Sequence, residues 1–265
     1  MPKSQFIRKQ LSVARAGAFS LIELLVVITI IALLLVILLP ALSMMRRNSK
    51  LIQCQANLKN LTTAWNQYLM TYNYHFFQGV NKQLNFGGKQ GSNTPYFGPN
   101  VRKPLNPMLG EKEITMNDIP TFRCPADTGG ETVSPSCYQV FGTSYESNVR
   151  LVGDTNFYIP PQDPSRDVWL KVRKRIADLR SSRVTASPSE TPLVGDIGWL
   201  ARWDRVSRER VAWHGDYKRF NIGFLDGHVA YVRIRKGIHV DTGFKMIPFK
   251  DLFPEASRSQ REVPD

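Results

Sequence analysis

The stretch AGAFSLIELLVVITIIALLLVILLP, Ala16 to Pro40, decides the fold. From Phe19 to Leu39 only Ser20, Glu23 and Thr29 are polar, so the run is long enough to cross a hydrocarbon core of about 30 Å as a helix. Lys3, Arg8, Lys9 and Arg15 precede it, and the positive-inside rule therefore keeps the N-terminus cytoplasmic and sends the rest of the chain outward. A secretory signal with a cut near Ala41-Leu42-Ser43 would need a core of roughly 7–15 residues, and this one is longer. Glu23 demands a reason. A carboxylate in hydrocarbon costs roughly 2–4 kcal/mol even on mild insertion scales, so it needs a partner. The first turn of the helix offers one, as a capping interaction; a cation from elsewhere is the other.

Downstream, Leu51, Cys54, Leu58, Leu61, Trp65, Tyr68 and Tyr72 recur at alternating spacings of three and four. This is one apolar stripe on a continuing helix, laid on the chain's own globular part or, with heptad spacing, against another helix. Pro40 removes a backbone donor and should kink or locally melt the helix where it leaves the membrane.

Beyond about residue 73, Gly87-Gly88, Gly91-Ser92, Thr94-Pro95, Gly98-Pro99 and Asn106-Pro107 interrupt every apolar run, which predicts a loop-rich segment to about residue 120. Phe220, Ile222 and Phe224 alternate before Asp226-Gly227, and Ala230, Val232 and Ile234 alternate after it. That pattern predicts a hairpin, with positive φ at both turn positions. Leu193–Ile197 and Arg210–His214 read as two more strands. The predicted fold class is therefore α+β: a long N-terminal helix packed on a C-terminal antiparallel sheet of at least four strands. Asp167–Leu179 predicts a short amphipathic surface helix, and PEASRSQREVPD at the C-terminus is too poor in apolar residues to predict order.

The net charge of +13 and the cluster Arg166, Arg173, Lys174, Arg175, Arg180 and Arg183 come with no zinc-finger spacing or RNA-binding signature. They read as a solvated face, and no nucleic-acid partner is expected. Three cysteines lie outside the membrane on this topology. Cys124 and Cys137 would close a short loop worth roughly 3 kcal/mol, while Cys54 is either a core residue of the stripe or an alternative partner of Cys124. No cofactor motif is present. Asp196, Asp216 and Asp226 are oxygen ligands of the right type for calcium without the spacing of a known loop, and His214 has no catalytic motif around it. No enzymatic activity is expected.

The order of basic leader, Gly17-Ala18, then Phe19-Ser20-Leu21-Ile22-Glu23-Leu24-Leu25-Val26-Val27-Ile28 resembles the processing signal of type IV prepilins and type II secretion pseudopilins. The resemblance implies that a prepilin peptidase cuts before Phe19 and methylates it, that Glu23 is the fifth mature residue, and that Pro40 is the family's proline at the twenty-second. The family has glycine before the cut; here Ala18 stands there, with Gly17 one place earlier. The resemblance also supplies Glu23 with a cation, the terminal ammonium of a neighbouring subunit, which makes the pair a register device for assembly. It further implies a pilin-like head, other pilin subunits, an inner-membrane assembly platform and membrane lipid as partners, and an inner-membrane or surface-filament location with the head outside. Cys54-Gln55-Ala56-Asn57-Leu58-Lys59, Phe122–Asp127, Thr143–Asn148 and His214 followed by Asp226-Gly227 are similar to motifs of a large pilin-like family, although the spacer of eleven residues after His214 is two longer. The expected organisation is a leader over 1–18, a transmembrane helix over 19–40, an amphipathic helix over 41–73, a head over 74–250 and a disordered tail over 251–265.

Overall fold

The computed structural model describes residues 20–78, 81–92, 100–130, 133–152, 159, 161, 163–203, 211 and 213–263. The chain divides into two compact units, residues 1–46 and 47–265. The α+β expectation holds: a helix of 51 residues, Leu21–Thr71, is followed by a head with a four-stranded antiparallel sheet.

In the first unit, every described residue is exposed, including the whole apolar run to Leu39. The helix is long and apolar enough there to cross a membrane. It begins with a reciprocal capping box: Ser20 N–H donates to Glu23 Oε2 at 2.9 Å, and Glu23 N–H donates to Ser20 Oγ at 3.2 Å. The helix is unbroken through Pro40, so the expected local melting is not found. One lost backbone bond is tolerable when both flanking turns stay bonded and hydrocarbon offers no competing water.

In the second unit the apolar stripe does what its spacing predicts. Cys54, Leu58, Leu61, Trp65 and Tyr68 are buried, whereas Tyr72 at the stripe's end is exposed. Trp65 stacks on Phe77 at 4.6 Å between ring centroids and also meets Phe76 and Phe86. The helix lies on its own head, and stops where Asn73 and Tyr74 take left-handed φ of 51° and 64°.

The sheet order is β1 (Tyr145–Ser147), β2 (Pro192–Asp196), β3 (Arg219–Phe224), β4 (Val229–Arg233), each pair antiparallel. The hairpin at Asp226-Gly227 is present. Gly227 alone takes positive φ, 89°, and its N–H bonds Phe224 O while Phe224 N–H bonds His228 O. This is a three-residue turn with glycine in the left-handed position, so the two-residue turn expected from the Asp-Gly pair is corrected. The predicted strand over Arg210–His214 is also corrected. Residues 204–210 and 212 lie outside the described residues, and Trp213 and His214 form a turn that continues to Gly215. The fourth strand is Tyr145–Ser147, three residues paired with β2.

Among the described residues, the loop-rich stretch carries short helical turns at Lys82–Asn85, Asn106–Leu109 and Pro120–Phe122. The amphipathic helix forms over Arg166–Ile176 and buries Val168, Trp169, Val172 and Ile176. Its cations find partners at the C-terminus: Lys171 Nζ lies 2.6 Å from Glu255 and Arg175 Nη1 lies 2.8 Å from Asp251. The tail is therefore ordered where composition predicted disorder. Phe253–Ser259 is a helix with Ala256 buried. After it, Gln260 Oε1 accepts the N–H groups of His239 and Val240, each at 2.9 Å.

Candidate functional site

Gly17, Ala18 and Phe19 lie outside the described residues. Glu23 has the local partner already described, the Ser20 N–H.

The remaining expected site residues separate into a hairpin and a buried cluster. Asp226 belongs to the hairpin: its Oδ1 accepts His228 N–H at 3.0 Å and lies 2.6 Å from His228 Nδ1, while the His228 ring stacks on Phe224. Gly227 presents its carbonyl to the long helix, where Lys59 Nζ donates at 2.7 Å and Thr62 Oγ1 at 3.4 Å. The Asp-Gly pair is thus a turn that fastens the sheet to the helix. Asp216 sits in the turn before β3, holding Lys218 N–H at 2.9 Å with Arg219 3.8 Å away. Asp196, Asp216 and Asp226 do not form a shared cation site among the described residues.

His214 and Asp196 are brought together. Asp196 ends β2 and is 2% exposed; its Oδ2 accepts both the backbone N–H and the side-chain amide of Asn221 at 2.9 Å. His214 Nε2 lies 3.5 Å from the same oxygen. Burial pushes the Asp196 carboxyl up to about 7, against the pull of Asn221, and pushes the His214 imidazole down to about 4, with the Arg47 charge adding to the effect. Both shifts disfavour charge, so near neutral pH this is not an ion pair in the ordinary sense. His214 Nδ1 and Asp196 Oδ1 have no protein hydrogen-bond partner.

Arg47, on the long helix, donates from Nε to the His214 carbonyl at 2.9 Å. It passes so close to Gly215 that a Cβ there would fall 1.4 Å from Arg47 Nη2, and Gly215 has φ 88°; only glycine suits this position.

His214 Nε2 is also 3.6 Å from Cys124 Sγ. Cys124 is disulfide-bonded to Cys54, a separation of 70 residues, so the expected Cys124–Cys137 bridge is corrected in favour of the other pairing. The reason is spatial. The segment after Phe122 runs beside the helix, where Asn57 Nδ2 donates to Arg123 O at 2.9 Å and Tyr145 OH at 3.3 Å. Cys137 instead opens a short helix behind its cap, Ser136, and its N–H goes to Asp127 Oδ1 at 3.0 Å.

The other motif residues are structural fasteners. Asp127 accepts from Gly129, Cys137 and Tyr138 N–H and from Ser144 Oγ. Glu146 Oε1 accepts the N–H groups of Gly198 and Leu200, and Asn148 Nδ2 donates to Pro192 O. Arg47, Cys54, Asn57 and Asn221 are the members of this neighbourhood that sequence reasoning did not single out as a site. The Cys54–Lys59 motif pointed toward Cys54 and Asn57, and cysteine pairing offered Cys54 as an alternative partner of Cys124.

With both sulfurs joined, the cluster offers no nucleophile, and its groups are almost wholly buried. In this state it fixes the helix to the far side of the head. No protein-family model, no curated protein and no solved structure matches the chain.

Proposed function

We propose that this protein is a non-enzymatic structural subunit of a type IV pilus-like filament or a type II secretion pseudopilus, cut before Phe19 and N-methylated by a prepilin peptidase. The observation that carries the reading is the helix Leu21–Thr71: its first part is fully exposed and apolar, and its second part is the central element of the head's core. An exposed apolar helix needs a non-aqueous surrounding, which lipid supplies before assembly and neighbouring helices supply after it.

The capping box bears on Glu23. In the single chain its carboxylate is held by Ser20 N–H. Cutting before Phe19 leaves that amide intact and places a new ammonium on Phe19, one residue before it. Glu23 then chooses between its own first turn and the terminus of a neighbour, the register device of the filament reading.

Intact-mass and N-terminal peptide mass spectrometry on protein extracted from its native membrane is the test. A terminus at N-methyl-Phe19 is expected. A retained leader would overturn the reading in favour of a single-pass anchor for an extracytoplasmic domain. Glu23→Ala should insert normally but assemble poorly; normal filament incorporation of that variant would refute the role given to the carboxylate.

A further inference from the structure

Three distant parts of the chain converge on one buried point: Cys54 on the long helix, Cys124 after the Pro120–Phe122 turn, and His214. One ligand atom from each lies within 4.8 Å of the others, and all three residues are buried. Asp196 Oδ2 stands 3.5 Å from His214 Nε2, outside that group of mutually close ligand atoms.

The separations are informative. A tetrahedral zinc ion has Zn–S of about 2.3 Å and Zn–N of about 2.0–2.1 Å, which places S and N roughly 3.6 Å apart. The observed distance from Cys124 Sγ to His214 Nε2 is 3.6 Å. Charge also balances. Two thiolates and a neutral imidazole around a divalent ion sum to zero.

We propose that Cys54 and Cys124, when present as thiols, form with His214 a buried three-ligand site for one zinc-class divalent ion, an alternative to the disulfide. In the binding step the two thiols lose their protons to solvent and two sulfur–metal bonds form. Starting from the disulfide, a dithiol reductant supplies two electrons and is itself oxidised to a disulfide. The two states exclude each other because the same sulfurs make either bond. Both fasten the long helix to the segment around Cys124. Because Cys54 is 0% and Cys124 1% exposed, the ion enters as the head folds, not afterwards.

The test uses the full chain in detergent, unfolded with a phosphine reductant, which offers no thiolate of its own, and refolded with cobalt(II) as the probe. One cobalt per chain is expected, with thiolate-to-metal charge-transfer absorption and tetrahedral ligand-field bands, and none in the disulfide form. Cys137→Ala should leave both signals unchanged. His214→Ala, first shown by circular dichroism to be folded as the disulfide, should weaken cobalt binding by more than the roughly 10–100-fold that loss of an outer-shell partner costs. Absence of the charge-transfer band in the reduced wild type, or unchanged affinity in His214→Ala, would overturn the proposal. If that variant does not fold, X-ray absorption on the cobalt-loaded wild type decides: two sulfur and two nitrogen or oxygen neighbours support the site, and any other sulfur count refutes it.

Discussion

Breaking the Cys54–Cys124 bond is the most direct test of how the head is held to its helix. The closed loop spans 70 residues. In the chain-entropy account a 15-residue loop is worth about 3 kcal/mol and a 100-residue loop about 4.7, so this bond contributes about 4 kcal/mol, close to a thousandfold in the unfolding constant. A Cys124–Cys137 bridge would close a much shorter loop and be worth about 3 kcal/mol, a difference too small to assign the pairing by stability alone. The assay therefore combines two readings. Tryptic mapping without reductant should give a Cys54–Cys124 cross-linked peptide. Urea unfolding of the full chain in detergent, followed by tryptophan fluorescence, should show a midpoint lower by about 1.5–2 M after reduction, taking a slope of about 2–3 kcal/mol per M for a head of this size. A chelator in both arms keeps any ion from substituting for the bond. Cys54→Ala should be insensitive to the reductant, and Cys137→Ala should respond as the wild type does. A reductant effect that persists in Cys54→Ala, or vanishes in Cys137→Ala, would refute the assignment.

Three further outcomes follow from the head. Folded Asp196, at about 7, keeps a proton that the unfolded chain releases near pH 4, so its contribution is lost as pH rises. Folded His214, at about 4, lacks a proton that the unfolded chain holds up to about pH 6.5, so its contribution is lost as pH falls. The two slopes oppose each other between about pH 4.5 and 6.5; urea midpoints across that window should rise with pH in Asp196→Asn and fall with pH in His214→Ala, by at most about 1.4 kcal/mol per unit. Lys103 is 2% exposed, pushed down to about 7 by burial and by the charge of Lys82, and donates to Leu84 O, Asn85 Oδ1 and Phe141 O. Its contribution is fully present above about pH 10.5 and is lost as pH falls from there to about 7, so Lys103→Met should cost less at pH near 7 than at pH near 10, read as denaturation midpoints. Gly223 on β3 faces the helix so closely that a Cβ would lie 2.5 Å from Thr62 Cγ2. Gly223→Val should therefore cost about 1–3 kcal/mol in the same assay, whereas Gly243→Ala, with nothing within 4 Å, should be neutral.

The helix and the β3–β4 hairpin were legible because their signals are local. The spacing from Leu51 to Tyr68 repeats along one face, and Asp226-Gly227 stands between two alternating runs. What escaped depends on distant partners. Tyr145–Ser147 is a strand only because β2 pairs with it, and three residues carry no readable period. Trp213 and His214 alternate like a strand, yet His214 is spent on Asp196 and Arg47. The C-terminal segment has a disordered composition, but Glu255 and Asp251 meet cations of Arg166–Ile176, and Gln260 serves two backbone amides. The candidate site shows the same division. His214 and Asp196 could be nominated by residue type, whereas their joining, and the choice of Cys54 over Cys137, needed the fold. The first-turn capping of Glu23 was legible because Ser20-x-x-Glu23 is itself a local signal.

The arrangement of fasteners bears on what kind of protein this is. A tethered autonomous domain would have its own core and a linker after the membrane segment. Here no described residue between Leu21 and Thr71 leaves the helix. Within the second unit, Arg47, Cys54, Asn57, Lys59 and Thr62 reach in turn to His214, Cys124, Arg123 and Gly227. Those partners come from separate turns and loops, so the helix is the element on which they are organised. Removing it would expose Phe76, Phe77 and Phe86, which pack on Trp65, and leave the sheet without its covering layer. A head built around its helix cannot shed or reorient that helix cheaply. Within the second unit, helix and head are therefore one folded body, held by a disulfide and by hydrogen bonds along the helix from Arg47 to Thr62.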